Sequence, residues 1–158
     1  MDIRNELIQK AKEIGVKVSP QQAEQFQIYL DLLLERNEVV NLTAITDPHE
    51  AVVKHFVDSL TLLKAVEIKK GAKLVDVGTG AGFPGLPVKI MRPDIELTLL
   101  DSLNKRLIFL KDVCAAIGVE ANCIHKRAEE AGRDVKLRES FDIATARAVA
   151  NMNTLAEY

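Results

Sequence analysis

Asp76, Gly78, Gly80 and Gly82 occupy alternate positions where an apolar run, Lys73-Leu-Val-Asp-Val77, breaks into Gly-Thr-Gly-Ala-Gly-Phe-Pro-Gly85. Glycine permits positive φ and lets a ligand approach the main chain closely. A helix starting just beyond such a turn presents N–H donors and the positive end of its dipole. The combination is that of a cofactor-binding turn. A second carboxylate, Asp101, ends the next apolar run about twenty residues past the turn, where an acidic side chain accepts hydrogen bonds from ribose hydroxyls. Ser102 adjoins it and is grouped with the cofactor contacts, although Asp101, Ser102 and Asn104 are each also able to cap the helix that follows.

Two cofactor classes compete for the turn. Read from Gly80, the chain gives Gly-Ala-Gly-Phe-Pro-Gly, which satisfies the G-x-G-x-x-G spacing of NAD-dependent oxidoreductases. That pattern starts late, because Gly78 already ends the strand and a pyrophosphate sits on the first turn after it. Read from Asp76, the chain gives Asp-Val-Gly-Thr-Gly-Ala-Gly, an acidic residue followed by alternating glycines. A carboxylate repels a pyrophosphate in a partly desolvated crevice and favours a cation. S-adenosylmethionine, with a sulfonium and an α-ammonium, suits Asp76 directly or through a bridging water.

Other side chains are candidates for chemistry beyond the turn. Arg147 follows a nearly apolar run, Phe141-Asp-Ile-Ala-Thr-Ala146, where a guanidinium must find a carboxylate, a phosphate or water. A salt bridge to Asp76 or Glu129 and a direct ligand contact are both open to it. His55 and Asp58 lie three apart on a helical stretch and so share a face, either as a packing pair or as one border of an active site. Asn41 and Thr43 are placed to join that face or to fix their loop by local hydrogen bonds. Cys114 and Cys123 lack both a disulfide framework and metal-ligand spacing, so they read as small buried residues, and no metal site is expected.

The elements that must hold these groups divide the chain in two. Ile3, Leu7, Ile8, Ala11 and Ile14 recur at helical spacing and stop at Gly15. Ser19-Pro-Gln-Gln22 restarts the chain as a capping box, and Phe26, Leu30, Leu33 and Leu34 carry a second helix to about Asn37. Asp47-Pro-His-Glu50 repeats the start signal for a third helix bearing Val52, Phe56, Leu60 and Leu63. From residue 72 short apolar runs at 72–77, 96–101, 121–126 and 141–146 alternate with helical stretches near 84–91, 103–117 and 128–138. That alternation predicts a parallel, doubly wound α/β sheet with right-handed crossovers and helices on both faces. Residues 151–158 read as the start of a further crossover helix, which leaves the fourth strand without another neighbour. A four-strand sheet of this kind is small, and a piece of a longer protein is expected.

Composition bounds the partners. The 158 residues are 47% hydrophobic, enough for one core. Aromatics make up only 4% and Trp is absent, which argues against a stacking platform for single strands. The net charge of −2 and a pI near 5.9 leave no overall basic footprint of a polyanionic partner. Arg106, Lys126, Arg127, Arg133, Lys136, Arg138 and Arg147 give the second half a local basic population that reads mainly as solvated helix faces. No window reaches membrane-span length and the first residues have no apolar leader, so a cytoplasmic protein is expected.

The segment Asp76–Gly85 resembles motif I of the class I methyltransferases. Its form Gly-Ala-Gly-Phe-Pro-Gly, with Asp101-Ser-Leu-Asn-Lys-Arg106, resembles the ribosomal small-subunit methyltransferase G family, also called glucose-inhibited division protein B. Asn41-Leu-Thr43, His55-Phe-Val-Asp-Ser-Leu60 and Thr145-Ala-Arg-Ala-Val149 agree with it. The resemblance spans essentially the whole chain. It implies a class I methyltransferase-like Rossmann sheet (71–158) behind an N-terminal helical cap (1–70), with the family's further C-terminal strands missing. It implies methylation of guanine N7 in 16S ribosomal RNA from S-adenosylmethionine, with rRNA or the 30S subunit as partner and a monomeric enzyme. It places cofactor contacts on Gly78, Phe83, Ala128, Glu129 and Arg147, and brings the face of His55 and Asp58, with Arg147, to the reacting groups. Guanine N7 has a lone pair and no proton, so in-line transfer needs alignment rather than a nucleophile or a covalent enzyme intermediate. An Asn/Asp-Pro-Pro-aromatic motif, expected for attack by an exocyclic amine, is absent after the fourth strand. An oxidoreductase using the overlapping glycines and a non-catalytic cofactor- or RNA-binding fragment are the competing readings.

Overall fold

The computed structural model describes residues 1–127, 129–130, 140–146 and 154–156. Helix α1 (Arg4–Glu13) ends at Ile14, and Gly15 takes φ +82°, the left-handed conformation that closes a helix. Helix α2 (Pro20–Asn37) starts on the predicted capping box. The Ser19 hydroxyl accepts the Gln22 N–H at 3.1 Å and the Gln22 side-chain oxygen accepts the Ser19 N–H at 2.9 Å. Its buried face carries Ala23, Phe26, Tyr29, Leu30 and Leu33.

The third predicted helix is not one α-helix. It runs as α3 (Pro48–Ala51), a π-helical turn (Val52–Val57), α4 (Asp58–Leu60) and α5 (Leu62–Ala65). Val52, Phe56 and Leu60 are buried as their spacing predicts. The wider i→i+5 winding also turns His55 inward, which an α-helical pattern does not anticipate.

Strands β1 (Lys73–Val77), β2 (Glu96–Asp101), β3 (Asn122–His125) and β4 (Ile143–Thr145) form a parallel sheet, joined by α6 (Gly85–Met91) and α7 (Asn104–Ile117). The sheet order is β3-β2-β1-β4-β5. The chain moves outward from β1 through β2 to β3 and then returns to the other side of β1. The switch point therefore lies between β1 and β4, where ligands of such sheets bind outside the carboxyl ends. The end of the chain differs from the expectation of a helix: β5 (Thr154–Ala156) pairs antiparallel with β4, with an irregular register at Ala144 and Thr145. A β-bridge to the exposed side of β4 satisfies main-chain groups that a helix leaves unpaired at the sheet edge.

Strand period two sorts the core. Leu74, Leu97, Leu99 and Ile143 face the helices and merge with Ile3, Leu7, Phe26, Leu30, Phe56 and Leu110 in one apolar cluster. Val75, Leu100, Phe141 and Ala144 form a second cluster on the opposite face. The N-terminal helices are thus built into the main core of the sheet. Cys114 lies in that core, and burial pushes its thiol up to about 11, while Cys123 is half-buried with its thiol also raised by burial. Both remain protonated thiols at neutral pH.

The segment entering β1 is pinned to the α6–β2 connection. Asp94 Oδ2 accepts the Gly71 N–H at 3.0 Å, Arg92 Nε donates to Asp94 Oδ1 at 2.9 Å, and Arg92 Nη1 donates to the Ile68 carbonyl at 2.9 Å. The Arg92 hydrogen bond, helped by the Gly71 N–H, holds the Asp94 carboxyl well below the usual carboxylate range. A carboxylate whose folded pKa is depressed stabilises the fold above its unfolded pKa of about 4, and that contribution drains away as pH falls below it. Asp94→Asn is therefore expected to be less stable than the parent in urea unfolding at pH 7, with the gap beginning to narrow only as pH falls below about 4. A gap that stays constant with pH would show that the ion pair contributes nothing.

Candidate cofactor site

Asp76 shares the helix-facing side of β1 with Leu74, and no part of it is exposed. Its Oδ2 accepts the Thr79 hydroxyl at 2.8 Å and the Gly85 N–H at 3.0 Å, and its Oδ1 accepts the Thr145 hydroxyl at 3.2 Å. One carboxylate thus joins the end of β1, the glycine turn, the first residue of α6 and the end of β4. A buried charge must be fully hydrogen-bonded, and here the protein itself supplies the donors.

Asp101 is also almost wholly buried and is likewise committed to main chain. Its Oδ2 accepts the Gly80 N–H at 2.8 Å, its Oδ1 accepts the Leu103 N–H at 2.9 Å, and Arg106 Nη1 lies 3.5 Å from Oδ1. A carboxylate offers about four lone-pair positions, so capacity remains for a ribose hydroxyl. Helix α7 has no side-chain cap: its N-cap is Leu103, and neither Ser102 nor Asn104 takes that role. Ser102 is exposed, and its carbonyl accepts the His125 ring at 2.8 Å.

The glycines divide by what surrounds them. Gly78 and Gly80 have φ of +65° and +59°, and a Cβ on either would meet nothing within 4 Å. These two leave the main chain of the turn open to close approach. Gly82 is different: a Cβ there would lie 2.3 Å from the Tyr29 hydroxyl and 2.8 Å from Leu110 Cδ2. Its missing side chain makes room for helix α2 and for the packing of α7. Gly85 is closed in the same way, since a Cβ there would come within 2.9 Å of the Asp76 side chain.

The turn's N–H groups are largely consumed inside the protein. Gly80 and Gly85 donate to the two carboxylates, Gly82 and Phe83 donate to the Thr79 carbonyl at 2.9 and 3.2 Å, and Leu86 donates to the Gly82 carbonyl at 2.8 Å. An anion needs several such donors free, together with positive potential. With five amides satisfied and two carboxylates at the turn, the geometry is hostile to a pyrophosphate. The G-x-G-x-x-G match is a coincidence of spacing in physical terms.

Phe83 is buried as the middle of a ring stack. The His55 ring lies 4.4 Å from it at an interplanar angle of 10°, and Tyr29 lies 5.5 Å away at 19°. His55 Nε2 is 2.7 Å from the Thr43 hydroxyl, which also accepts the Ile45 N–H at 3.0 Å. Asn37 Oδ1 accepts the Leu42 and Thr43 N–H groups at 2.8 and 3.0 Å, which fixes the Asn41-Leu-Thr43 loop from α2. Asp58 is half-buried at the start of α4. Glu129 is exposed beyond β3, and Ala128 and Arg147 lie outside the described residues.

Two contributors were not singled out from sequence. Tyr29 is fully buried, and its hydroxyl donates to the Ala81 carbonyl at 2.5 Å in the middle of the turn. Its position on an apolar helical stripe was the available signal, because a buried tyrosine hydroxyl must find an acceptor. Thr79, 3% exposed, links Asp76 to the Gly82 and Phe83 amides and had no signal beyond its place between glycines.

Known proteins resemble this chain in fold and in sequence. Solved structures of similar fold include a Plasmodium falciparum protein described as a putative protein-L-isoaspartate O-methyltransferase in complex with S-adenosyl-L-homocysteine. It has a TM-score of 0.54 and 14% identity over 90% of this chain and 72% of that one. A second protein-L-isoaspartate O-methyltransferase gives a TM-score of 0.56 at 11% identity, covering 96% of this chain and 57% of that one. These likenesses establish a class I methyltransferase-like α/β fold. In sequence, the chain is 55% identical to ribosomal RNA small subunit methyltransferase G of Clostridium beijerinckii over 93% of its length and 62% of that protein's. It is 52% identical to the Clostridium perfringens protein of that name, covering 97% of this chain and 65% of the relative. The Thermoanaerobacter sp. (strain X514) protein is 52% identical over 96% and 64%. The chain thus spans less than two thirds of the length of these relatives. The family model for rRNA small subunit methyltransferase G (GidB) matches residues 22–158. On the combined strength of that match and those identities, the chain belongs to the rRNA small subunit methyltransferase G family.

Proposed function

We propose that this chain holds S-adenosylmethionine at the carboxyl ends of β1 and β2, beside the β1/β4 switch point, and serves methylation of guanine N7 in 16S ribosomal RNA. The observation that carries the cofactor assignment is the commitment of the turn's amides to Asp76, Asp101 and Thr79. That arrangement disfavours a pyrophosphate and leaves the open main chain of Gly78 and Gly80 for a nucleoside bearing positive charge. The names of the relatives support ribosomal RNA as the acceptor class. The choice of guanine N7, of naked 16S rRNA or the 30S subunit as partner, of a monomer and of the cytoplasm belongs to the same reading. No helix among the described residues is long and apolar enough to cross a membrane.

The methyl donor supplies the electrophilic carbon; the protein supplies place and direction. Gly78 and Gly80 permit close approach, and Asp101 has an acceptor position left for a ribose hydroxyl. Ala128 and Glu129 follow β3 in the chain and are assigned to the adenine side. Arg147 follows β4, next after Ala146 in sequence, and is assigned to the acceptor side with His55 and Asp58. His55, stacked on Phe83 and bonded to Thr43, acts in this reading as a fixed wall that aligns the acceptor and excludes water, since N7 has no proton to remove.

Transfer of a labelled methyl group to 30S subunits and to naked 16S rRNA tests the activity, with product nucleosides identified after digestion. The reading expects 7-methylguanosine, lost in Arg147→Ala; label on another base or on protein would overturn it. For the cofactor, Asp101→Ala is expected to weaken S-adenosylmethionine binding by roughly 1–3 kcal/mol, the scale of hydrogen bonds to a charged group. Equal affinity by calorimetry would reduce Asp101 to a fastener of Gly80 and Leu103.

A further inference from the structure

Helix α2 reaches the centre of the glycine turn through a single side chain. The Tyr29 hydroxyl donates to the Ala81 carbonyl, and the same peptide unit donates its other end, the Gly82 N–H, to the Thr79 carbonyl at 2.9 Å. The preceding Gly80 N–H is held by Asp101. The Ala81–Gly82 peptide plane is therefore clamped on both sides, and Gly80, with its open Cα, is fixed between Asp101 and the clamp. The Tyr29 ring lies against Phe83 on one side and against Phe56 and Phe109 at 5.4 and 6.5 Å, so its hydroxyl has no freedom to seek another acceptor. Ala81 is 4% exposed, so its carbonyl has little access to water if the phenol is lost.

We infer that Tyr29 is a positioning residue for the cofactor, acting through the Ala81 peptide, and that the N-terminal helices are a working part of the cofactor site. The consequence for the cofactor rests on the reading of the turn as an S-adenosylmethionine site. The clamp itself does not. A tyrosine that served only the core would be replaceable by phenylalanine at no cost to the turn, because the ring and its stacking are retained. A clamp predicts a local effect instead: with the hydroxyl removed, the Ala81 carbonyl is buried without its donor, and the turn can relax by rotating that peptide.

Tyr29→Phe separates the two in the intact chain by two readouts. Amide hydrogen exchange without any ligand is expected to speed up about fivefold to tenfold at Gly80 and Gly82, the fold-change of one lost buried hydrogen bond, while amides of α1 stay unchanged. Calorimetry with S-adenosylmethionine is expected to show affinity down by a similar factor, and in the transfer assay KM for the cofactor should rise with kcat held. Leu7→Ala, on α1 and fully buried, is the comparator for general destabilisation. Unchanged exchange at Gly80 and Gly82 in Tyr29→Phe, or the same affinity loss in Leu7→Ala, would overturn the inference. Faster exchange at the turn in Tyr29→Phe, with a parent chain that binds no S-adenosylmethionine, would keep the clamp and sink the cofactor assignment.

Discussion

Four parts of the molecule meet on one buried carboxylate. Asp76 sits in the middle strand of the parallel sheet and receives the Thr79 hydroxyl, the Gly85 N–H and the Thr145 hydroxyl. A carboxylate in an apolar interior is costly unless its lone pairs are filled, and hydrogen bonds to a charged group contribute about 1.5–3 kcal/mol each when they are. The fold meets that demand with groups that also define the turn. The need to satisfy Asp76 fixes where α6 begins, how far the glycine segment can open and how close β4 lies to β1. Gly85 follows from the same constraint, because any side chain there would collide with the carboxylate.

From that anchor the site is built outward by a second carboxylate and a stack of rings. Asp101 secures Gly80 from the β2 side, and Tyr29 secures Ala81 from the α2 side. Phe83 then carries the contact to His55, which Thr43 holds in turn. The helices that precede the sheet in sequence are therefore tied to the turn by both packing and hydrogen bonds. The π-helical winding at Val52–Val57 is the local adjustment that turns a polar ring into this stack without sacrificing Phe56 or Leu60 to solvent.

Much of this architecture was legible in the residues. Ser19 and Gln22 announced the start of α2, Gly15 the end of α1, and the apolar runs around Leu74, Leu97 and Ile143 the strands, because each signal is local and physical. Asp76 and Asp101 stand out in the chain as carboxylates at the ends of apolar runs, but the direction in which Asp76 points does not. Direction depends on Thr145, far away in sequence, and on which face of the strand the residue takes. Gly82 and Gly80 look alike in the chain; only the tertiary approach of Tyr29 and Leu110 separates a packing glycine from an open one. The π turn was hidden because it keeps the apolar spacing of an α-helix at Val52, Phe56 and Leu60. The short β5 was hidden because three residues carry no periodicity, and their pairing partner β4 decides their state.

The turn's amides are already spent on the protein's own carboxylates and carbonyls, and on the proposed reading the site takes a positively charged nucleoside and refuses a pyrophosphate. Amide NMR of the isotope-labelled chain tests it directly, by following Gly78, Gly80 and Gly82 during titration with S-adenosylmethionine, with NAD and with inorganic pyrophosphate. Saturable shifts are expected at Gly78 and Gly80 with S-adenosylmethionine and none with the other two. Saturable shifts at the turn with pyrophosphate or NAD, and none with S-adenosylmethionine, would contradict it.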